Sequence, residues 1–552
     1  MLFGTLFLAS SADTAEPLER RWLYLQQNLQ VTENLPQIET ILKRAADSGY
    51  NAVVLADYKL NVLDRVPAHY FKNATRFREV CRELKLEIVP TVAGFGYSSG
   101  ILAHDPNLAE ALPVRDAPLI VQGTQAVSAN STNLVSGDFE SRRSDLFNGW
   151  SFQDEPGKGT FADQAVKHGG TTSLRIENPA GIAGNRRVSQ VIPVRPWSQF
   201  HASVWIKTQG FESASETRMF AMSPSGRVLS HSNLGVKRDQ DWTIHHAVFN
   251  SLDSNELRFY VGTWNCKGGR LWIDDIQVKE EPLVNLVRRS GCPLIVKDES
   301  GRMTFEEGRD FAELRDPGLG TTPWPGEFDI YHSPPLLTLL PGSRIKDGQK
   351  LLISYFHAVT IYDNQVPCSL TEPKVFEIIE DQIRRVQKVF EPKMYFLSHD
   401  EIRVANWSDP DRASGKTAGQ QLADNVRRCR EIVQRVDPQA RLCIWSDMFD
   451  PHHNAIRNFY LVNGDFNGSW EGLTPDTVIV NWNSEKPLDS LKHFAARGHQ
   501  QVLAGYYDAP PDRIKDWLKS GEGQKGITGV MYTTWRSNFG DLERFGRAAW
   551  NR

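Results

Sequence analysis

Two carboxylates stand side by side at Asp400 and Glu401, directly after the apolar run Met394 to Leu397. Four apolar residues followed by Ser398, His399, Asp400 and Glu401 predict a buried strand that delivers polar side chains into a site. Adjacent carboxyls raise each other's pKa and resist desolvation, so one can hold a proton near neutral pH while the other is ionised. General acid catalysis by Glu401, with Asp400 as its charged neighbour, uses that split. His399 is placed to tune Asp400 or to touch a substrate. A solvated loop carrying the same dipeptide would do no chemistry, so the surrounding residues decide.

Those surroundings are aromatic and acidic. Later apolar runs end in Trp445 with Asp447, Trp482 with Asn483 and Glu485, Tyr506-Tyr507-Asp508, and Trp535-Arg536, while earlier ones end in Asp57 and in Gly94 to Tyr97. In a barrel the strand C-termini converge, so residues far apart in sequence meet there. Tryptophans and tyrosines with several carboxylates suit a sugar, whose ring faces stack on aromatics while its hydroxyls take hydrogen bonds.

The elements that must position these residues show a strand–helix rhythm. Arg21 to Leu25, Asn51 to Ala56 and Leu86 to Val92 are near-continuous apolar strands separated by amphipathic helical stretches, the pattern of a parallel sheet covered by helices. The rhythm resumes at Leu351 to Val359, runs through an amphipathic helix at Lys374 to Phe390, and continues with strands at Met394, Arg441, Val478, Gln501 and Ile527. This gives nine strand candidates for a ring of eight, with Leu351 to Val359 the one expected to lie partly outside. Between the halves, many short alternating strands separated by turn residues predict a β-sandwich. The expected fold class is therefore α/β, a (β/α)8 TIM-like barrel interrupted by an inserted jelly roll. The divisions are a leader at 1–15, barrel at 16–112, sandwich at 131–281, a β-rich connection at 282–350, and barrel again at 351–552.

Composition excludes some function classes and permits others. The chain has 552 residues, 24% charged, with a net charge of −4, which gives no basic surface for nucleic acid or for a membrane. No run approaches the roughly 18 apolar residues of a membrane span. The six cysteines, at 81, 266, 292, 368, 429 and 443, lack metal-ligand spacing; Cys81 and Cys429 fall in amphipathic helix patterns and are expected as buried free thiols. Leu2 to Ala9 is a short apolar run followed by small residues, resembling a secretory signal without a basic start. Localisation is accordingly secreted or periplasmic if that segment is a signal, and otherwise cytoplasmic. No catalytic cofactor or metal is expected.

Two resemblances sharpen the reading. The stretch with Asn133-Leu134-Val135, Gly137-Asp138-Phe139-Glu140, Gly149-Trp150, Ser173 to Ile176 and Trp272 to Ile276 resembles jelly-roll carbohydrate-binding modules. That likeness implies a sugar-binding or spacer domain; some such modules hold a structural calcium ion, for which Asp138, Glu140 and Asp275 are candidate ligands, with turn and cap roles as the alternative. The C-terminal half resembles family 20 glycoside hydrolases, the β-N-acetylhexosaminidases, through Asp400-Glu401, Trp445-Ser446-Asp447, Val478 to Trp482, Tyr506-Tyr507-Asp508 and Trp535.

That second resemblance implies substrate-assisted hydrolysis of an oligosaccharide or polysaccharide, in which the 2-acetamido oxygen attacks the anomeric carbon. Glu401 would then be acid and base, Asp400 would orient the acetamido N–H, and Tyr506 would bond its carbonyl. Trp445, Trp482 and Trp535 would wall the pocket, and Asp508 would hold a hydroxyl or the leaving group. The sequence departs from the family at Phe396 to His399, at Ala93 and Tyr97, at Ser537, and in lacking an Arg between Trp22 and Leu29. A two-carboxylate glycosidase pairing Glu401 with Glu485, Asp447 or Asp508, and a catalytically silent carbohydrate-binding protein, remain as alternatives.

Overall fold

The computed structural model describes residues 18–129, 134–178, 181, 183–362 and 364–550. The leader expected at 1–15 lies outside the described residues, as do the first residues of the expected sandwich.

Eight parallel strands close into a barrel: β1 Arg20–Gln26, β2 Ala52–Ala56, β3 Glu87–Val92, β4 Met394–Leu397, β5 Arg441–Trp445, β6 Val478–Asn481, β7 Gln501–Tyr506 and β8 Ile527–Thr533. The ring shuts where Trp22 lies beside Met531. Strand side chains alternate, and the sequence obeys that period. Trp22, Tyr24, Val54, Val89, Met394, Phe396, Cys443, Trp445, Val480 and Met531 fill the barrel interior. Their neighbours Leu23, Leu25, Val53, Leu55, Tyr395, Leu397 and Ile444 face the helices. Helix Pro373–Phe390 lays Val375, Ile379, Ile383, Val386 and Phe390 on the ring. Each such buried side chain contributes about 1.5–3 kcal/mol, and the helix's outer face carries the ion pairs Arg384 with Glu380 and Arg385 with Asp381.

The expectation of a (β/α)8 fold is nevertheless corrected. The chain is about 33% strand against 23% helix, and many of its strands lie in antiparallel sheets. Around the ring the alternation also fails, because the crossover from Trp445 to Val478 carries no α-helix, only the 3-10 turns Asp447–Phe449 and Ser469–Gly472 and the short strand Leu461–Val462. Pro451, Gly464, Gly468, Gly472 and Pro475 punctuate that crossover and remove the helix propensity a regular unit needs.

The chain leaves the ring after β3 and returns through helix Pro373–Phe390. Between these points lie, among the described residues, three larger antiparallel sheets and the two-stranded pair Arg142–Arg143 with Leu146–Phe147. Two five-stranded sheets form the sandwich. One runs Gln240–Asn250, Gln199–Gln209, Arg270–Glu280, Ser173–Glu177, Thr160–Asp163, and the other Val228–Asn233, Thr217–Met222, Glu256–Cys266, Gly184–Pro193, Phe152–Gln153. The third sheet pairs Ala111–Gln122 with Lys350–Ala358, so the ninth strand candidate lies outside the ring altogether. The sandwich is not tethered loosely: Val404, Trp407 and Leu461, from loops above the barrel, share its hydrophobic core.

All six cysteines are buried free thiols. Among the described residues, no helix is long and apolar enough to cross a membrane.

Candidate active site

A cavity of about 480 Å³ opens at the C-terminal ends of the barrel strands, bounded among others by Tyr24, Asp57, Tyr97, Asp400, Glu401, Trp445, Trp482, Tyr507 and Trp535. Its floor is Trp445, which packs at 4.9 Å from Phe396 and 5.7 Å from Tyr24 in the barrel interior. Trp535 stands at the rim, 47% exposed, with its ring 5.4 Å from Tyr24. Trp482 stacks near-parallel to Tyr507 at 6.3 Å.

Both carboxylates of the acidic dipeptide reach this cavity, and backbone conformation is the reason. After β4 the alternation sends Ser398 and Asp400 inward and His399 outward. Glu401 should then turn away, but it has a left-handed φ of +50°, which swings it back beside Asp400. Gly96 permits the approach of the facing loop, since a Cβ there would sit 1.8 Å from the Asp400 carbonyl oxygen. Gln365 fastens the two loops by donating from Nε2 to the carbonyls of Gly96 at 2.9 Å and Glu401 at 2.8 Å.

The two carboxyls of the pair lie in different environments. Burial, then the charges of Asp447 and Glu401, push the Asp400 carboxyl well above the usual carboxylate range. Glu401 is instead ion-paired to Arg403 at 2.7 Å and accepts a hydrogen bond from the Tyr97 hydroxyl. Arg403 is buried, held by Gln365 Oε1 and leaning on the rings of Tyr362 and Tyr460 at 4.4 and 5.1 Å. The pair is therefore unequal: burial favours the neutral form of Asp400, while Arg403 and Tyr97 hold Glu401.

Asp400, Glu401, Trp445, Trp482 and Trp535 are brought together as expected residues of the cavity. Asp447 sits behind them, fully buried, accepting from Glu401 N at 2.8 Å, Asn454 Nδ2 at 2.9 Å and Trp482 Nε1 at 3.2 Å. It positions Glu401 and Trp482 and does not line the cavity.

Three expected contacts are corrected. His399 is buried in the core, stacked at 4.8 Å on Phe95 and bonded through Nε2 to Asn425 Oδ1 at 2.9 Å, and burial lowers its pKa to about 4. Tyr506 turns away to bond Asp541 Oδ2 at 3.1 Å and Asn538 Nδ2 at 2.7 Å, stacked on Tyr532. Asp508 caps a turn, accepting from Thr534 Oγ1 at 2.6 Å and Trp535 N at 3.0 Å. All of Tyr506, Tyr507 and Asp508 have positive φ, of 74°, 49° and 55°. This left-handed run breaks the strand period and puts Tyr507, not Tyr506, in the cavity. Among the described residues the buried Tyr507 hydroxyl has no hydrogen-bond partner, and burial beside Asp447 and Asp400 raises its pKa strongly. Glu485, a candidate second carboxylate, is exposed and lies off the cavity.

Tyr97 and Tyr507 stand among the strand-end residues the sequence marks, without a role of their own, whereas Arg403 and Gln365 escape it. Arg403 ends the same ten-residue stretch as the acids, and a basic residue two positions beyond a carboxylate was the available signal. Gln365 lies in the return crossing and gives no signal of its own.

Among the described residues, no group of three or more His, Cys, Asp or Glu side chains is arranged to hold a metal ion. Of the acids suggested for calcium, Glu140 accepts from Thr171 and Thr172 N–H groups, Asp275 pairs with His168 at 2.6 Å, and Asp138 accepts from Glu140 N at 3.4 Å.

No protein-family model matches the chain, and no curated protein matches it. Solved structures similar to it include carbohydrate-binding modules and glycoside hydrolases. A rhamnosidase from Novosphingobium sp. PP1Y is 9% identical, with 94% of this chain and 55% of that chain covered at a TM-score of 0.32. The chain thus spans about half the length of that rhamnosidase. A GH20 exo-β-N-acetylglucosaminidase from Vibrio harveyi is 14% identical over 34% of this chain and 33% of that one, at a TM-score of 0.24. A family 16 carbohydrate-binding module is 17% identical over 26% of this chain and 98% of its own, at a TM-score of 0.20. Likenesses this slight carry no argument about the site, whose chemistry rests on its own geometry.

Proposed function

We propose that the chain is a glycoside hydrolase of the β-N-acetylhexosaminidase kind, cleaving a terminal acetamido sugar from a glycan by substrate assistance. The observation that carries this reading is the unpartnered Tyr507 hydroxyl buried in one aromatic cavity with the Asp400-Glu401 pair. An acetamido group supplies what these residues lack: a carbonyl oxygen to accept from Tyr507 and an N–H to donate to Asp400. Trp445, Trp482 and Trp535 offer faces for the sugar ring.

The proton balance follows from the pair. With the cavity empty, burial favours the neutral form of Asp400 and Glu401 is held by Arg403. A bound amide N–H favours ionised Asp400, and the proton then resides on Glu401, where the leaving oxygen needs it. The acetamido oxygen bonds to the anomeric carbon as the glycosidic bond breaks and Glu401 protonates the departing oxygen. Asp400 then stabilises the cationic ring, and Glu401 takes a proton from the water that opens it. Retention of configuration results.

One observation favours a second reading. Glu401 clamped by Arg403 and Tyr97 is a poor proton donor unless substrate rearranges the pair, so a carbohydrate-binding protein without turnover is the alternative. Chromogenic N-acetyl-β-glucosaminide and N-acetyl-β-galactosaminide, assayed beside the plain β-glucoside and β-galactoside, separate these readings. Cleavage of the acetamido sugars alone supports substrate assistance. Cleavage of plain sugars transfers the mechanism to two carboxylates, and binding without cleavage leaves the second reading. A leader at residues 1–15 would place the activity outside the cytoplasm.

A further inference from the structure

Strand β1 points Trp22, Tyr24 and Gln26 toward the barrel axis by the two-residue period of a strand. Trp22 and Tyr24 join the cluster that fills the interior, and Tyr24 and Gln26 line the cavity above it. Tyr24 is thus the last buried residue of the strand before the mouth, and it carries a hydroxyl. Other buried tyrosines spend theirs inside the protein. Tyr50 donates to the Leu542 carbonyl at 3.0 Å, Tyr70 to Asp57 at 3.0 Å, Tyr355 to Gln199 at 2.6 Å, Tyr395 to Gln387 at 2.8 Å, Tyr506 to Asp541 at 3.1 Å and Tyr532 to the Asn538 carbonyl at 2.7 Å. Tyr24 is 6% exposed and has no hydrogen-bond partner among the described residues.

Packing does not account for that hydroxyl. A phenylalanine would fill the same space between Trp445 and Trp535, whose rings lie 5.7 and 5.4 Å from that of Tyr24, without taking a polar group out of water. A polar group held in a cavity with no protein partner needs another explanation, and a ligand supplies one. The surroundings limit which part of a ligand it meets. Burial, and then the nearby Asp400 carboxyl, raise the pKa of Tyr24, while no hydrogen bond joins the two side chains. Tyr24 therefore stays protonated, on the Asp400 side of the cavity, able to donate one hydrogen bond and accept another. In the complex proposed above, Asp400 takes the acetamido N–H and Tyr507 its carbonyl. What the same sugar still offers to a group that both donates and accepts is a ring hydroxyl.

We propose that Tyr24 is a specificity-determining residue whose hydroxyl bonds a ring hydroxyl of the terminal sugar, so that the cavity favours a sugar with that hydroxyl free over one that lacks it. A sugar without it would fill the cavity, displace water and leave the phenol unpaired, which is the circumstance in which a polar site discriminates. The proposal rests on the glycosidase reading and deepens it from the acetamido group to the hydroxyl pattern of the sugar that bears it.

The test takes the better cleaved of 4-nitrophenyl N-acetyl-β-glucosaminide and N-acetyl-β-galactosaminide, with its 3-deoxy, 4-deoxy and 6-deoxy analogues, and compares the wild type with Tyr24→Phe. The substitution should lower kcat/KM on the parent glycoside about tenfold, the effect of one neutral hydrogen bond. On one deoxy analogue the two proteins should be equal, and that analogue identifies the hydroxyl. The unfolding midpoint should not move, because the phenol bonds nothing in the free protein. An equal loss on the parent and on every analogue, no loss on any of them, or a lowered unfolding midpoint overturns the proposal. If the wild type cleaves none of these probes, the hydrolase reading fails, and titration of N-acetylglucosamine and N-acetylgalactosamine into both proteins decides the part played by Tyr24. A Kd raised about tenfold by Tyr24→Phe for the tighter-binding sugar would still support it, whereas an unchanged Kd, or no binding by either protein, overturns it.

Discussion

The chain contains two adjacent acid pairs of similar build, Asp400-Glu401 above the barrel and Asp274-Asp275 in the sandwich, and their contrast shows what makes a site. In each, the first acid has its pKa raised by burial, the second has a left-handed φ, of +50° and +47°, and the second is paired to a basic side chain, Arg403 or His168. Asp274, however, spends its oxygens on His168 N, Gly169 N and Asp275 N at 2.8–3.2 Å, which ties a loop to a bulged strand. Burial raises it to about 6 against the pull of those three bonds. Asp400 faces a cavity walled in part by Tyr24, Trp445, Trp482 and Trp535, beside the Tyr507 hydroxyl, which has no partner among the described residues. Incomplete satisfaction, and not acidity, distinguishes the candidate pair.

The largest expected effect falls on the barrel pair. Glu401→Gln should lower kcat on an acetamido glycoside by about 10²- to 10⁴-fold, the share of a general acid and base, and should also lower the unfolding midpoint because buried Arg403 loses its carboxylate; an activity loss no larger than the loss of folded protein would make it structural. Next comes Tyr507→Phe, which removes a hydroxyl that bonds nothing in the free protein. Steady-state kinetics should show kcat/KM falling about tenfold with no loss of stability, and a destabilised variant would mean that the hydroxyl has a partner after all.

Smaller effects concern pH. The folded pKa of Asp400 lies above its unfolded value, so its contribution to stability is full below the ordinary aspartate pKa and is lost as pH rises toward the folded value. Asp400→Asn should flatten that descent in denaturant midpoints taken across the acid-to-neutral range. His399 has the opposite sign. Its pKa is lowered to about 4, so stability is full above the unfolded histidine value and falls as pH drops toward 4. The slope should shrink in His399→Gln, and a slope that persists would assign it to other groups.

Much of this contrast is legible in the sequence, and its limits have physical causes. Strand-end residues Trp445, Trp482, Trp535, Asp400 and Glu401 could be placed because apolar runs mark where strands stop. His399 was misplaced because only the strand period, carried one residue past the apolar run, sends it outward to Asn425. Tyr506 and Asp508 were misplaced because three successive left-handed residues reverse that period, and none of the three is glycine to announce it. The ring of eight strands follows from apolar periodicity, whereas the helix-free crossover and the third antiparallel sheet depend on long-range pairing such as Ala111–Gln122 with Lys350–Ala358. Arg403 illustrates the same limit, since its partners Tyr362, Gln365 and Tyr460 come from two distant loops.

The most direct test of the contrast is a crossed pair of isosteric substitutions, Asp400→Asn and Asp274→Asn, each measured for kcat/KM on an N-acetyl-β-glucosaminide and for unfolding free energy. An amide at 274 faces three N–H donors and must lose at least one bond, which costs about 1–3 kcal/mol. An amide at 400 replaces a carboxyl whose neutral form burial favours and breaks no such tie. The expected outcome is a stable, inactive Asp400→Asn protein and a destabilised, active Asp274→Asn protein. Activity retained in Asp400→Asn, or its loss only in step with stability, would contradict a catalytic role for the barrel pair.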